Sequence, residues 1–460
     1  MDVDCFRGIC EYNSLACLDY AQEGQTVKES IKRFTPIFYW LFIIALLCLF
    51  FTNDFGLVDI HKTSLIVAIG IDPAGDEVQV TAQVAIPQPS QSGDNVQYVE
   101  VQGSGLTVAD ALNEINVKTG TYPKLLFCKL ILIGEECQNE ELFRILGCFY
   151  RRNYSELTAL VAMCKGKAQE MLALPATIAP ENSTAIQKVL SEELKKSANV
   201  STANLKSIAE ANYSVSKACF MPFVEANVQG TSESGGNGDN VGGEGGGSQG
   251  GSGGSQSGES GGAQSGSGGS QNGEGGGSQG GSSSQSGGKE GQQMEFTARK
   301  TAVFTGGKFA GILDEQQSFA LNILKNEINL AVIPCDADGI HYTVGLKSAK
   351  GGTKLKVNDG VPELTVSFKA KAQIQGAKIV LDPQSVMGDD SVKPSILEAA
   401  NEEVIARVES LIKHCSETDC DVLGVRELLH KYNYKYYEAF KDDILTRMRV
   451  SYKVDVQSLN

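Results

Sequence analysis

The stretch FTPIFYWLFIIALLCLFFT, Phe34–Thr52, decides how the rest of the chain is read. From Ile37 to Phe51 it is apolar without interruption. About 18 residues of it make roughly 27 Å of helix, which covers the hydrocarbon core of a bilayer. A buried core helix would keep a polar stripe, and none is present. The next most apolar run, Leu125–Ile133, is broken by Lys129 and has the length of a strand. Phe34–Thr52 is therefore predicted to be a single transmembrane helix, with the remainder of the chain folding beside the membrane.

Basic residues set the side. Lys28, Lys32 and Arg33 precede the segment, whereas Asp54 and Asp59 follow it, with Lys62 the one basic residue at a comparable distance. The basic flank stays cytoplasmic, so residues 1–33 read as a short cytoplasmic tail and residues 53–460 as lying outside. Tyr39 and Trp40 suit the interface near the cytoplasmic end. A cleaved signal peptide would need small residues at its cut, and the residues after Leu47 read Cys-Leu-Phe-Phe. Lipidation at Cys48 would likewise need a small residue before it, where bulky Leu47 stands. The expectation is an uncleaved anchor, with Cys48 as the alternative lipidation site.

Composition narrows the function. A formal net charge of −15 argues against a general nucleic-acid binder, because phosphate contacts need a basic surface. The 12 cysteines include no C-x-x-C pair and no Cys pair beside a His pair, so zinc spacing is missing. Most read as buried thiols, and a Cys415–Cys420 bridge stays open as an alternative.

Downstream of the anchor, Ser64–Ile71 and Glu77–Ile86 read as strands around Asp72-Pro73-Ala74-Gly75-Asp76. The second places Val78, Val80, Ala82, Val84 and Ile86 on one face. A strand at Val96–Gln102 leads to a capping-box-like start at Thr107–Asp110 and a helix burying Val108, Ala111, Leu112 and Ile115, stopped by Gly120. Leu125–Ile133 reads as a central strand, Glu140–Tyr150 as a helix, Glu156–Met163 as a strand, and Gly166–Leu172 and Ser183–Lys196 as helices. This alternation predicts a mixed α/β domain over 57–229.

Residues 230–293 are Gly, Ser, Gln and Glu with almost nothing apolar, and are predicted to be a disordered insert. The G-x-S-x-G match at Gly258–Gly262 lies inside it with no strand before and no helix after, so it carries no weight as a nucleophile elbow. Order resumes at 295 with a hairpin, Thr297–Phe304 and Lys308–Leu313, turning at Thr305-Gly306-Gly307. Asp314 caps a helix running through Glu327. Strands at Ile340–Ser348, Lys354–Asn358 and Leu364–Gln373, helices near Ser391–His414 and Leu423–Ile444, and a closing strand at Arg449–Val456 predict an antiparallel sheet with helices over 295–460. The chain as a whole is α+β.

Catalytic patterns are missing. His61, His341, His414 and His430 form no H-E-x-x-H array. Glu135-Glu136 reads as an exposed turn without a partner base. Tyr432, Tyr434, Tyr436 and Tyr437, interleaved with Lys431 and Lys435, read first as rings packing on a sheet and second as a partner surface.

Taken together, several of these stretches resemble the C subunit of spore germinant receptors, the Ger(x)C or GerAC-like family. Leu65–Asp72, with Gly70 and Asp72, resembles the opening strand that ends in G-I-D. Leu130–Glu136, with Gly134 and Glu135, resembles the central strand and acidic turn. Ala162–Ala168, with Gly166, resembles the A-K-G-x-A segment. Thr301–Phe304 with Lys308, Gly311, Leu313 and Asp314 resembles the A-V-F hairpin, and Asp421–Gly424 the D-x-x-G turn. The resemblance implies a non-catalytic subunit without cofactor or metal, facing outward at the spore inner membrane. It would act there with two membrane-embedded partners, the A- and B-type subunits, in nutrient-triggered germination. The sequence departs from the family in its poor lipobox, in the missing Trp-Asp after the lipidated Cys, and in the Gly/Ser insert. The rival readings are a general envelope scaffold and an extracytoplasmic hydrolase.

Overall fold

Strand alternation and helical spacing both reappear in the computed structural model, which describes residues 39–48, 63–88, 95–151, 155–175, 182–191, 197–228, 294–325, 327–378 and 392–459. The expected tail 1–33, the insert 230–293 and residues 192–196 of one expected helix lie outside these. The chain divides into two units, Met1–Thr63 with Gly120–Tyr122, and Ser64–Thr119 with Pro123–Asn460. In the first, residues 39–48 form a helix on which Tyr39, Trp40, Leu41, Phe42, Ile44, Leu46 and Leu47 are all more than half exposed. The rest of Phe34–Thr52 lies outside the described residues. No helix among the described residues is long and apolar enough to cross a membrane.

The second unit begins with three strands in an antiparallel meander: β1 (Thr63–Ala74), β2 (Glu77–Gln88) and β3 (Asn95–Gly105). Val78, Val80, Ala82 and Val84 are buried, but Ile86 at the end of the expected face is exposed. Thr107 and Asp110 cap each other's backbone, opening α1 (Val108–Thr119), which buries Val108, Ala111, Leu112 and Ile115. The apolar run after it behaves differently from expectation. Leu125–Phe127 form a helical turn with Leu126 and Phe127 about half exposed, and the strand β4 (Leu130–Gly134) starts only where β1 offers Ala68 as a partner.

Next come α2 (Leu142–Arg151), β5 (Leu160–Cys164), α3 (Ala168–Ala173), α4 (Asn182–Val189), α5 (Leu205–Tyr213) and β6 (Ala218–Val228). α2 buries Leu142, Ile145, Leu146 and Phe149, the face its spacing predicts. Beyond the insert, β7 (Met294–Thr305) pairs antiparallel with β6, Val228 opposite Met294, and β8 (Lys308–Leu313) completes the hairpin. Its turn holds Gly306 and Gly307 at φ 57° and 81°. The sheet order is β3-β2-β1-β4-β5-β6-β7-β8, with β1, β4, β5 and β6 parallel. The Met294–Leu313 hairpin thus belongs to the first sheet.

A second sheet follows α6 (Glu315–Lys325): β9 (Glu327–Ala337), β10 (Ile340–Asn358) and β11 (Val361–Ala377) in an antiparallel meander. Then come α7 (Pro394–Thr418), α8 (Val425–Tyr432) and β12 (Arg449–Ser458), which joins β11 in parallel. The parallel closing strand corrects the expected all-antiparallel sheet: the helical crossover returns the chain to the same end of β11. The long helix expected to reach Ile444 ends at Tyr432 and gives way to short turns. α6 and α7 pack on one face of this sheet over a core including Phe319, Phe368, Val404 and Leu411.

Candidate functional site

Residues of the motif stretches meet at two junctions in the second unit. The first lies at the carboxyl ends of parallel β1, β4 and β5, where open sheets of this kind bind ligands. Asp72 at the end of β1 is buried. Its Oδ1 accepts from the Ala168 amide at 2.7 Å and its Oδ2 from the Gln169 amide at 2.9 Å. The carboxylate therefore satisfies two of the orphan donors that open α3 and occupies the place an external anion would take. Burial raises the pKa of Asp72, opposed by the Gln169 and Ala168 amides and by Lys167.

Two glycines make room for this contact. A Cβ on Gly134 would stand 2.1 Å from Asp72 Oδ1, and one on Gly70 would stand 3.1 Å from Ala168 Cβ. Gly166 turns the chain with φ 72°. Its amide donates to Glu135 Oε2 at 3.1 Å, while the Glu135 amide donates to the Gly166 carbonyl at 2.9 Å. Gly70, Asp72, Gly134, Glu135 and Gly166, separate in sequence, thus form one structure. Two thiols lie beside it. Burial pushes Cys137 up to about 12 and Cys164 well above its usual value, so both stay protonated and un-nucleophilic at neutral pH.

The second junction is built on Asp421. Its Oδ1 accepts from the Val425 amide at 2.7 Å, and its Oδ2 from the Arg426 amide at 2.7 Å and the Ser216 hydroxyl at 2.6 Å. Gly424, at φ 77°, makes the turn that lets the carboxylate reach the start of α8. Burial raises the pKa of Asp421, opposed first by the Ser216 hydroxyl. Lys325 donates to the Leu423 carbonyl at 3.3 Å, and burial lowers its pKa. Arg426 bonds the Lys441 carbonyl at 2.8 Å and pairs with Asp419.

The remaining predicted residues pack around this junction or stand apart from it. Phe304 is buried edge-on to Phe309 at 5.7 Å, and its carbonyl accepts the Cys420 thiol. Asp314 caps α6 with Gln317 at 2.8 and 3.1 Å. Gly311, at φ 153°, lets β8 approach His414, whose Nε2 would lie 3.2 Å from a Cβ there. Cys415 and Cys420 are free thiols, so the bridge left open by the sequence is not formed. Cys48 lies exposed at the end of helix 39–48. Of the tyrosine cluster, Tyr436 and Tyr437 pack on the core, as the first reading expects, while Tyr432 and Tyr434 are exposed.

Ser216 and Lys325 escaped the sequence reading because their partners are remote, 205 residues away at Asp421 and 98 at Leu423, whereas Arg426, 7 residues from Asp419 and 15 from Lys441, reads as an ordinary helix cation. Asp421 itself carried a local signal, an Asp followed by a glycine and then a helix. Among the described residues, no group of three or more His, Cys, Asp or Glu side chains could hold a metal ion.

The family model described as spore germination protein N-terminal domain matches residues 57–226, and the one described as spore germination B3/GerAC like, C-terminal, matches 299–458. YfkR of Bacillus subtilis (strain 168), provisionally named a spore germination protein, is 21% identical over 136 residues, 28% of this chain. That match spans 35% of YfkR, about a third of its length. The crystal structure of the GerBC protein aligns over 85% of this chain and 97% of its own, with 13% identity and a TM-score of 0.45.

Proposed function

Because the chain belongs to the GerAC-like family of spore germination proteins, we propose that it is the non-catalytic C-type subunit of a nutrient germinant receptor, anchored at the spore membrane and required for germination. The observation that carries the non-catalytic role is the fate of the two buried carboxylates. Asp72 and Asp421 accept from α3 and α8 amides and, for Asp421, from Ser216. A hydrolase needs a carboxylate or base open to substrate, whereas a receptor subunit needs a rigid scaffold.

Anchoring rests on Phe34–Thr52, and the exposed apolar helix 39–48 supports it. The basic flank before it places the folded region on the outer face, beside the A- and B-type membrane-embedded subunits. A division into germination-protein regions 57–229 and 295–460 follows the two matched family models, while the hairpin that opens the second completes the first region's sheet.

A spore-forming strain carrying this receptor as its sole nutrient receptor tests the role. Deleting the gene should abolish the nutrient response, reintroducing it should restore the response, and the tagged chain should co-purify with two multi-span subunits. A deletion strain that germinates normally on every nutrient its parent uses would refute the role.

A further inference from the structure

The chain carries a net charge of −15, yet one of its surfaces is strongly basic. Leu355, Leu364, Val366 and Phe368 point into the core under α6 and α7, so the alternate residues of β10 and β11 face the other way. On that open face stand Lys347, Lys350, Lys354, Lys369 and Lys371, with Lys453 from β12. The register puts Lys347 directly opposite Lys371 and Lys350 opposite Lys369. Like charges so placed destabilise a sheet. Two carboxylates stand on the same face, Glu363 opposite Lys356 and Asp455 opposite Lys369, and leave the lysines in excess. Among the described residues, Lys347, Lys354, Lys369, Lys371 and Lys453 have no ion-pair partner.

We infer that this face docks on the anionic headgroup plane of a phospholipid bilayer. The positive charge is spread over three strands and about 20–25 Å of β10, the shape that suits a plane rather than a single phosphate. A second feature borders the same sheet. Tyr432 and Tyr434 are 65% and 66% exposed, Lys431 lies 5.3 Å from the Tyr432 ring and Lys435 lies 4.6 Å from that of Tyr436. Asn433, between them, donates to the Leu355 carbonyl at 3.2 Å, so the cluster sits at the stretch of β10 that carries Lys354. Exposed tyrosine beside lysine is the chemistry of a membrane–water interface. The inference rests on the proposed anchor, since a chain already held at a bilayer needs only a weak second contact.

The test uses the full chain in vesicles of phosphatidylcholine, with and without phosphatidylglycerol. Acetylation of Lys369 and Lys371 is followed by mass spectrometry, and retention after alkaline extraction is read separately. Anionic lipid should slow acetylation on the order of fivefold or more. The effect should vanish near 1 M salt, where the Debye length falls to about 3 Å. Lys371→Glu turns the like-charged pair with Lys347 into an opposite one and faces only the neutral Gln457 on β12, so it should fold with an unchanged or raised Tm. In that variant, protection of Lys354 by anionic lipid should be lost. Equal labelling in both lipids overturns the inference, as does protection that appears only with an acidic protein partner. A failed anchor shows instead as loss on alkaline extraction.

Discussion

Placing a methyl group on Gly134 tests whether Asp72 holds the first junction together. Gly134 sits at φ −63° and ψ 151°, where alanine is unstrained, so Gly134→Ala acts through its side chain alone. The added Cβ would stand 2.1 Å from Asp72 Oδ1, more than 1 Å inside van der Waals contact. Either Asp72 leaves the Ala168 and Gln169 amides or β4 moves. The first route forfeits two hydrogen bonds to a buried carboxylate, about 2–4 kcal/mol in all. The second is an overpacking cost of about 1–3 kcal/mol. Asp72→Ala loses the same two bonds directly and should cost about 2–4 kcal/mol.

The two substitutions should not add. Once Asp72 is alanine, the obstructing oxygen is gone and the nearest remaining atom to the new Cβ is the Ala168 nitrogen at 3.3 Å. The double variant should therefore be little worse than Asp72→Ala, with a coupling of about 2 kcal/mol. Thermal and urea unfolding of the full chain in detergent, with hydrogen exchange at Ala168 and Gln169, measures this. Additivity within about 0.5 kcal/mol would refute the claim that Gly134 exists to admit the Asp72 carboxylate.

Further outcomes follow from the same geometry. Asp72 has a folded-state pKa above its ordinary 3.8, so between the two values the native state binds more protons and stability falls as pH rises. Asp72→Asn should flatten this part of the profile, its deficit relative to wild type shrinking as pH rises through the window. Ser216→Ala leaves Asp421 one donor fewer and should cost about 1–2 kcal/mol, whereas Ser214→Ala, at a partly buried turn, should cost less. Cys48→Ala should leave the protein membrane-bound and of unchanged mass, and release from the membrane would establish lipidation there. Replacing residues 232–292 by a few Gly and Ser residues should hold or raise the Tm, by at most about 2 kcal/mol of loop-closure entropy, and a large loss of stability would refute a loop role.

Period and turn chemistry made much of the fold legible. The buried positions of α1 and α2 follow their 3.6-residue spacing, and the Gly306-Gly307 turn declared its hairpin. The misreadings have specific causes. Gly351-Gly352 reads as a break between two strands, but β10 continues through it, its register with β11 shifting just before, between Lys347 and Lys350. Gly351 is there because a Cβ would meet the Ile323 carbonyl at 2.1 Å, which no local pattern announces. Residues 328–337 of β9 carry no strand expectation in the sequence, although Asp338-Gly339, at φ 53° and 74°, is the kind of Asp-Gly turn that marks a hairpin. At the site, glycines and Asp72 stood out singly, but their convergence needed the parallel register of β1 and β4.

The hydrogen bonds across the insert bear on how the two halves of the chain depend on each other. β6 precedes residues 230–293, yet its whole antiparallel edge, Ala218 to Val228, is paired with β7 from beyond them. Just before β6, Ser216 donates to Asp421 and the Val215 amide donates to Glu427 at 3.3 Å. A fragment ending at the insert would expose that strand edge, which includes buried Met221 and Phe223, and would leave Ser216 without its acceptor. A fragment starting after the insert would leave Phe304 and Ala302 facing solvent and Asp421 short of a donor. Each half therefore supplies what the other buries. A long polar insert is tolerable here because it joins two neighbouring strand ends rather than bridging a gap.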